Sequence, residues 1–473
     1  MPKTINVLFL AAEADPFVKV GGLGDVAGSL PKALRALSND EVKLDVRLVL
    51  PYHPVVKAEN VNPLGIFSLP RNNSEVEVEA FETSVGNLPV YLINGEAIRA
   101  NGSVYSADAK LDAEKYVFFS LAALKLASHI NWSPDVVHAN DWHTALSLYS
   151  NLTKRWEEGA KHIANVITVH NLPFMGPDVR EIMESYGVKL AQTDLPDWAR
   201  VMPLPLGLWA SDAIVAVSPT YANEILTEEF GAGLYNFLQI RRETISGILN
   251  GIDTTAFDPA ADNAIGVNYD IHSLEKRATN KKLLQERLGF SLDDDIPFLG
   301  IVSRMDIQKG IDIAFSALKT MKNVNFQAVI LGTGDPKLEQ AAQDLQTLFP
   351  EKIKVQARFD AGLARQIYAG TDMLLMPSRY EPCGLAQMIA MRYGCVPIVR
   401  RVGGLNDTVK HNETGFVFEK PMHMSLVGAI KKALKVFADK EAWQKIQRNG
   451  MAQDFSWSAS AKEYLKLYLS LVK

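Results

Sequence analysis

Cysteine is nearly absent from this chain: Cys383 and Cys395 are the two present in 473 residues. Twelve positions apart and without a Cys-x-x-Cys pair, they exclude a disulfide scaffold and a zinc ribbon, and they fit a reducing cytoplasm. An excess of positive charge is missing too. The 49 Lys and Arg against 54 Asp and Glu leave a net charge of -5, which gives no electrostatic footprint for nucleic acid. No apolar run reaches the ~20 residues that cross a bilayer, so an integral membrane protein is excluded. The start, Met1-Pro2-Lys3-Thr4-Ile5-Asn6, passes straight into a strand-like run, and no targeting segment is expected there. Internal repeats and low-complexity blocks are likewise missing.

What is present is an ordinary globular composition, 47% hydrophobic and 22% charged, in a chain too long for one core. Two domains of roughly 200 to 250 residues are expected. Short apolar runs alternate with longer amphipathic ones, the pattern of parallel α/β layers. In the first half the strand candidates are 7–12, 45–50, 89–93, 135–138, 164–169 and 213–217. In the second they are 298–302, 326–331, 353–356, 373–376 and 396–399. Each set reads as one open, doubly wound sheet. The polar, poorly periodic stretch around Gly251 to Asn268 reads as the connection, and two similar halves in tandem imply a cleft.

In such sheets ligands sit beyond the carboxyl ends of the strands, so the loops there carry the chemistry. Lys19-Val20-Gly21-Gly22-Leu23-Gly24-Asp25 joins an apolar run to an amphipathic one. A glycine-rich strand-to-helix turn lets backbone approach a ligand, and a helix N-terminus favours an anion; tight turning alone is the other reading. Asp141 either caps the helix expected over 142–148 or acts in the site. His143 reads as solvated, capping or functional, and His170 as a satisfied core residue or a functional one. In the second half, Arg304 and Lys309 lie five apart on one strand-end loop, a planar fork and a point charge suited to neighbouring phosphates unless they are surface cations. Gly332 opens a further turn. Glu381 precedes Cys383-Gly384-Leu385, expected to open a helix to about Tyr393. A carboxylate beside free amides suits the hydroxyls of a hexose; a helix cap with a buried Cys is the alternative.

Taken together, these loops with Thr168-Val169-His170-Asn171, Val217-Ser218-Pro219-Thr220, Gly247-Ile248-Leu249-Asn250-Gly251 and Pro377 to Leu385 resemble the bacterial glycogen synthase and plant starch synthase family. The resemblance runs from about Val7 to Trp457. It implies a GT-B fold, two Rossmann-like domains facing across a cleft, and a retaining transfer of glucose from ADP-glucose to the 4-hydroxyl end of an α-1,4-glucan or maltooligosaccharide. UDP-glucose is the alternative donor, and a small-sugar acceptor the alternative reaction. Residues 1–255 would be the acceptor-side domain, 256–457 the donor domain, and 458–473 a helix returning to the first. No metal or other cofactor is implied, and Asp293-Asp294-Asp295, which looks like a metal signature of other glycosyltransferases, reads as a turn.

By the same resemblance, Lys19, Gly21 and Gly22 lie near the donor diphosphate and glucose, and Arg304 and Lys309 neutralise the leaving group. His170 contacts the 6-hydroxyl, and its carbonyl helps an oxocarbenium-like transition state. Asp141 and Asn250 position sugar and acceptor, while Glu381 with the amides of Cys383 and Gly384 holds the 3- and 4-hydroxyls; Gly332, Phe359 and Leu385 complete the donor pocket. Two stretches depart from the family. Ile98-Arg99-Ala100-Asn101-Gly102, with Tyr105 beyond, stands where the family carries Tyr-Asp-Arg-Pro-Gly, and Arg358-Phe359 stands where it tends to read Gly-Tyr. A two-domain sugar-binding protein of the periplasmic type is the rival from another class; it would need an export signal and has no use for three cations.

Overall fold

The computed structural model describes residues 3–39, 41–100, 102–155 and 162–472. Two compact units divide them: residues 1–251 with 457–473, and residues 252–456. In the first unit the strands are β1 (Lys3–Leu10), β2 (Val42–Pro51), β3 (Asn62–Arg71), β4 (Ser74–Val85), β5 (Leu88–Asn94), β6 (Val136–Asn140), β7 (Ala164–Val169), β8 (Ala213–Ala216) and β9 (Ile245–Gly247). Their order is β3-β4-β5-β2-β1-β6-β7-β8-β9. From β5 to β9 every pairing is parallel, and the inner strands β6, β7 and β8 are buried along their whole length, as parallel strands are. β3 and β4 extend the sheet as an antiparallel hairpin, which the strand candidates above omit. In β4, Glu75, Glu77 and Glu79 alternate with Val76, Val78 and Ala80, so one face is wet and no continuous apolar run marks it.

The second unit holds β10 (Phe298–Val302), β11 (Gln327–Leu331), β12 (Ile353–Gln356), β13 (Met373–Met376), β14 (Val396–Arg400) and β15 (Phe416–Phe418). Its sheet is wholly parallel, in the order β12-β11-β10-β13-β14-β15. Each sheet therefore has one topological switch point, between β1 and β6 in the first and between β10 and β13 in the second. Ligands of open α/β sheets bind in the crevice at that reversal.

The helix Trp457–Leu471 returns to the first unit. Trp457, Ala461, Tyr464 and Tyr468 enter the same core as Val7 and Phe9 of β1 and Leu30 of the helix Gly22–Ala36. His138 of β6 ties the layers: its ring nitrogens lie 2.6 Å from Tyr468 Oη and 2.7 Å from Thr168 Oγ1. Among the described residues no helix is long and apolar enough to cross a membrane.

Candidate active site

In the first unit β1 ends in small buried residues, Ala11, Ala12 and Ala14, among which sits Glu13, 1% exposed. The chain then turns through Lys19 to Gly21 and starts the helix Gly22–Ala36, whose N-cap, Gly21, has no side chain to satisfy the first amides. Glu13 serves the turn just ahead of them. Its carboxylate accepts from Val20 N and, at 3.0 Å, Gly21 N, and Tyr105 Oη donates to it at 2.9 Å. Burial pushes the Glu13 pKa up while these hydrogen bonds hold it down. A carboxylate of the chain thus occupies the amides of Val20 and Gly21, while the amides that open the helix, from Gly22 on, are not among its partners. Lys19 Nζ meets Asp25 Oδ1 at 2.5 Å and stays 44% exposed. Of the departing stretch, Ile98 is buried in the short helix Glu96–Arg99, Arg99 pairs with Glu79, and Asn101 lies outside the described residues. Tyr105 is the aromatic that reaches the glycine turn.

Across the switch point, Asp141 follows β6 with φ +54°, a conformation Asp adopts more readily than most residues. Its Oδ1 accepts from His170 N at 2.7 Å and Asn171 N at 3.4 Å, tying the loop after β6 to the loop after β7. Burial raises its pKa to about 7 against those bonds. The helix it precedes runs Trp142–Arg155, a turn and more beyond the expected 142–148. Asn140 Nδ2 donates to Leu10 O, which fixes its amide orientation, so Oδ1 must accept from His170 Nε2–H at 2.9 Å. Nδ1 is then the acceptor nitrogen of a ring that burial keeps neutral, with a pKa lowered to about 3. His143 is not solvated: it is buried against Tyr105, Tyr116 and Trp142, and its Nδ1 has no partner among the described residues. Asn250 is 6% exposed, with Oδ1 likewise unpartnered.

In the second unit the loop after β10 runs into the helix Ile311–Thr320. Arg304 Nε meets Asp306 Oδ2 at 3.0 Å with the guanidinium side chain 60% exposed. Lys309 Nζ lies 2.7 and 2.8 Å from the two oxygens of Glu381, from the loop after β13, and Ser378 Oγ donates to the same carboxylate at 2.9 Å. The cation and the carboxylate named separately from sequence are therefore one pair, with Glu381 5% exposed at its side chain. Gly332 has φ +155°, and a Cβ there would lie 1.8 Å from Ser303 O, so this turn lets the loop after β11 lie against the loop after β10. Met305 N donates to Thr333 O, and Asp335 N to Met305 O, along that seam. Phe359 is 87% exposed.

Cys383 is buried. The helix starts at Ala386, with Leu385 as N-cap, and ends at Arg392, so Cys383 and Gly384 lie before it rather than in its first turn. Gln387 closes that end by donating to Cys383 O and Gly384 O. A second helix start, Gly403–Thr408, abuts the same loop: Gly404 N donates to Glu381 O and Pro382 O. Asp293 to Asp295 form a turn, Asp295 N donating to Asp293 Oδ1 at 2.8 Å, while Asp294 and Asp295 pair with Lys282 and Lys440. Among the described residues no group of three or more His, Cys, Asp and Glu could hold a metal ion.

Sequence reading quoted Ser378 within Pro377 to Leu385 without giving it a part, and it overlooked Glu13 and the pair Gly403-Gly404. The available signals were an acid inside a run of alanines and a glycine pair shortly after the strand β14. The loops it did single out follow β1, β6, β10 and β13, the four strands that flank the two switch points, together with β7 and β11.

Comparison with known proteins follows the same division. Residues 6–240 match the starch synthase catalytic domain, and residues 285–450 match glycosyl transferases group 1. The chain is 38% identical over 484 residues to the glycogen synthase of Clostridium novyi, covering 99% of each. It is 40% identical to that of Kosmotoga olearia, covering 98% of this chain and 97% of the relative. Among solved structures, the catalytic domain of starch synthase IV from Arabidopsis thaliana, bound to ADP and acarbose, superposes with a TM-score of 0.89 at 30% identity over 99% of both chains. Sucrose-phosphate synthase from Thermosynechococcus elongatus shares the fold, with a TM-score of 0.63 at 19% identity.

Proposed function

Because the chain belongs to the glycogen synthase and starch synthase family of GT-B glucosyltransferases, which extend a glucan from a nucleotide sugar, we propose that it transfers glucose with retention from ADP-glucose to the non-reducing 4-hydroxyl of an α-1,4-glucan in the cytoplasm. Residues 1–255 serve the acceptor and 256–457 the donor. The observation that carries the reading is the Lys309–Glu381 pair at the switch point of the second sheet, an ammonium for a diphosphate oxygen held beside a carboxylate for sugar hydroxyls. When the glycosidic bond to phosphate breaks, negative charge grows on the leaving diphosphate, and Arg304 and Lys309 stabilise it electrostatically. Glu381, with the amides of Cys383 and Gly384, accepts and donates to the 3- and 4-hydroxyls, while Gly332, Phe359 and Leu385 border the nucleotide and sugar.

In the first unit, Lys19, Gly21 and Gly22 approach the donor diphosphate and glucose, with Glu13 and Tyr105 setting the turn. His170, neutral, accepts a hydrogen bond from the 6-hydroxyl at Nδ1, and its carbonyl faces the positive charge developing at the anomeric carbon. Asp141 holds that carbonyl's loop, and with Asn250, whose Oδ1 has no partner among the described residues and can accept from a hydroxyl, it positions sugar and acceptor. Retention fits a front-face route, in which the departing phosphate oxygen takes the acceptor proton as the new bond forms.

The test is the initial rate of maltooligosaccharide extension with ADP-glucose and with UDP-glucose, for the wild type and Lys309→Ala. Faster extension from ADP-glucose and a loss of roughly a hundredfold or more in the variant are expected. Preference for UDP-glucose would overturn the donor assignment, and transfer to a monosaccharide alone would overturn the acceptor.

A further inference from the structure

Lys115 of the first unit carries a charge that the reaction does not use. It lies on the helix Ala109–His129 and is 0% exposed. Apolar residues in place of a buried ion pair are often as stable, so stability is a poor account of this ammonium, and its partners give a better one. All three N–H groups are committed: to Asp112 Oδ1 at 2.7 Å, Val104 O at 2.7 Å and Ser103 O at 3.2 Å. Tyr116 Oη, from the next residue of the helix, donates to the same Val104 O at 2.6 Å, and Asp112 Oδ2 accepts from Ser106 N at 2.9 Å. The backbone is thus gripped at Ser103, Val104 and Ser106. Between them stands Tyr105.

Along residues 102–108 the chain forms no helix or strand, so the helix that follows is what places Tyr105. Tyr105 is half-buried, its ring centred 5.0 Å from that of His143, and its hydroxyl donates to Glu13 Oε1 at 2.9 Å. Burial raises its pKa, so the hydroxyl stays a donor. Glu13 in turn accepts from Val20 N and Gly21 N. A continuous line of hydrogen bonds therefore leads from a buried ammonium to the glycine turn. We propose that Lys115 is a positioning residue for donor use: it fixes the backbone around Tyr105, Tyr105 fixes Glu13, and Glu13 fixes the amides on which the placing of Lys19 and Gly22 depends. Being inaccessible, Lys115 touches no substrate itself. The assignment rests on the reading above, in which Lys19, Gly21 and Gly22 meet the donor.

The experiment takes the wild type, Lys115→Met, Tyr105→Phe and the double variant through two measurements. One is hydrogen exchange of the free enzyme over residues 18–24, and the other is KM for ADP-glucose and for maltoheptaose during extension. Each single variant should speed exchange in the turn and raise KM for ADP-glucose roughly tenfold, the effect of one hydrogen bond to a charged group, with kcat and the KM for maltoheptaose in place. In the double variant the two effects should not multiply, because Lys115 acts through Tyr105. Tyr105→Phe deletes one hydroxyl at a half-buried position, so it tests the last link even if Lys115→Met does not fold. Unchanged exchange in the turn, an equal rise in both KM values, or effects that multiply overturn the assignment. A turn that loosens in Tyr105→Phe, in an enzyme whose wild type extends no glucan, supports the line of hydrogen bonds and overturns the glucan-extending reading instead.

Discussion

Asp141 combines a left-handed backbone, a buried carboxylate and two accepted amides, and each constrains what can replace it. Asn tolerates the same φ and keeps an acceptor oxygen, so Asp141→Asn is expected to fold. The pH dependence should nonetheless change. With its pKa raised from 3.8 to about 7, Asp141 binds a proton in the folded state that the unfolded chain has already released between about pH 4 and 7. Its contribution is complete below pH 4 and is lost as pH rises through 7, so wild-type stability carries a falling component over that window. Urea denaturation at a series of pH values should show a flatter profile for Asp141→Asn, and an unchanged profile would remove Asp141 as its source. Which residues meet at this scale was partly legible. Cations and carboxylates on strand-end loops stand out in a sequence, as Arg304, Lys309 and Glu381 do. That Lys309 answers Glu381 depends on how the loops fold back and leaves no pattern along the chain; Glu13 shows only as an acid among alanines, with nothing to say which turn it serves.

At the scale of elements, the inner parallel strands were the readable part because burial on both faces makes them mostly apolar runs: β7, β10 and β13 fall on the expected residues, as does the edge strand β12, where Ile353 and Val355 alternate with Lys354 and Gln356. The hairpin β3–β4, alternating in polarity, and the three-residue β9 and β15 do not give such runs. The order of strands, and hence the two switch points, is set by which crossover packs on which face and is invisible in a linear pattern. The seam between the loops after β10 and β11 is the most demanding contact among the elements of the second unit. Gly332→Ala would need a Cβ 1.8 Å from Ser303 O, so a loss exceeding about 2 kcal/mol is expected, read as a lower melting temperature. A variant that melts like the wild type would show that the seam yields freely.

At the scale of the molecule, the chain leaves the first unit at Gly251, builds the second, and comes back at Trp457. The returning helix supplies four side chains to the first core and one hydroxyl to His138. Losing a single large core side chain costs about 3–5 kcal/mol, and a whole domain holds only about 5–15 kcal/mol. A chain ended after Ser456 should therefore lose amide protection against hydrogen exchange over residues 3–251 while keeping it over 252–456. Retained protection in the first stretch would show that the helix is dispensable. That same path orders events during translation. Every residue of the second unit emerges from the ribosome before the helix Trp457–Leu471, so the unit begun first is the one completed last, and its half-built core must wait through the synthesis of some 200 residues for the segment that closes it.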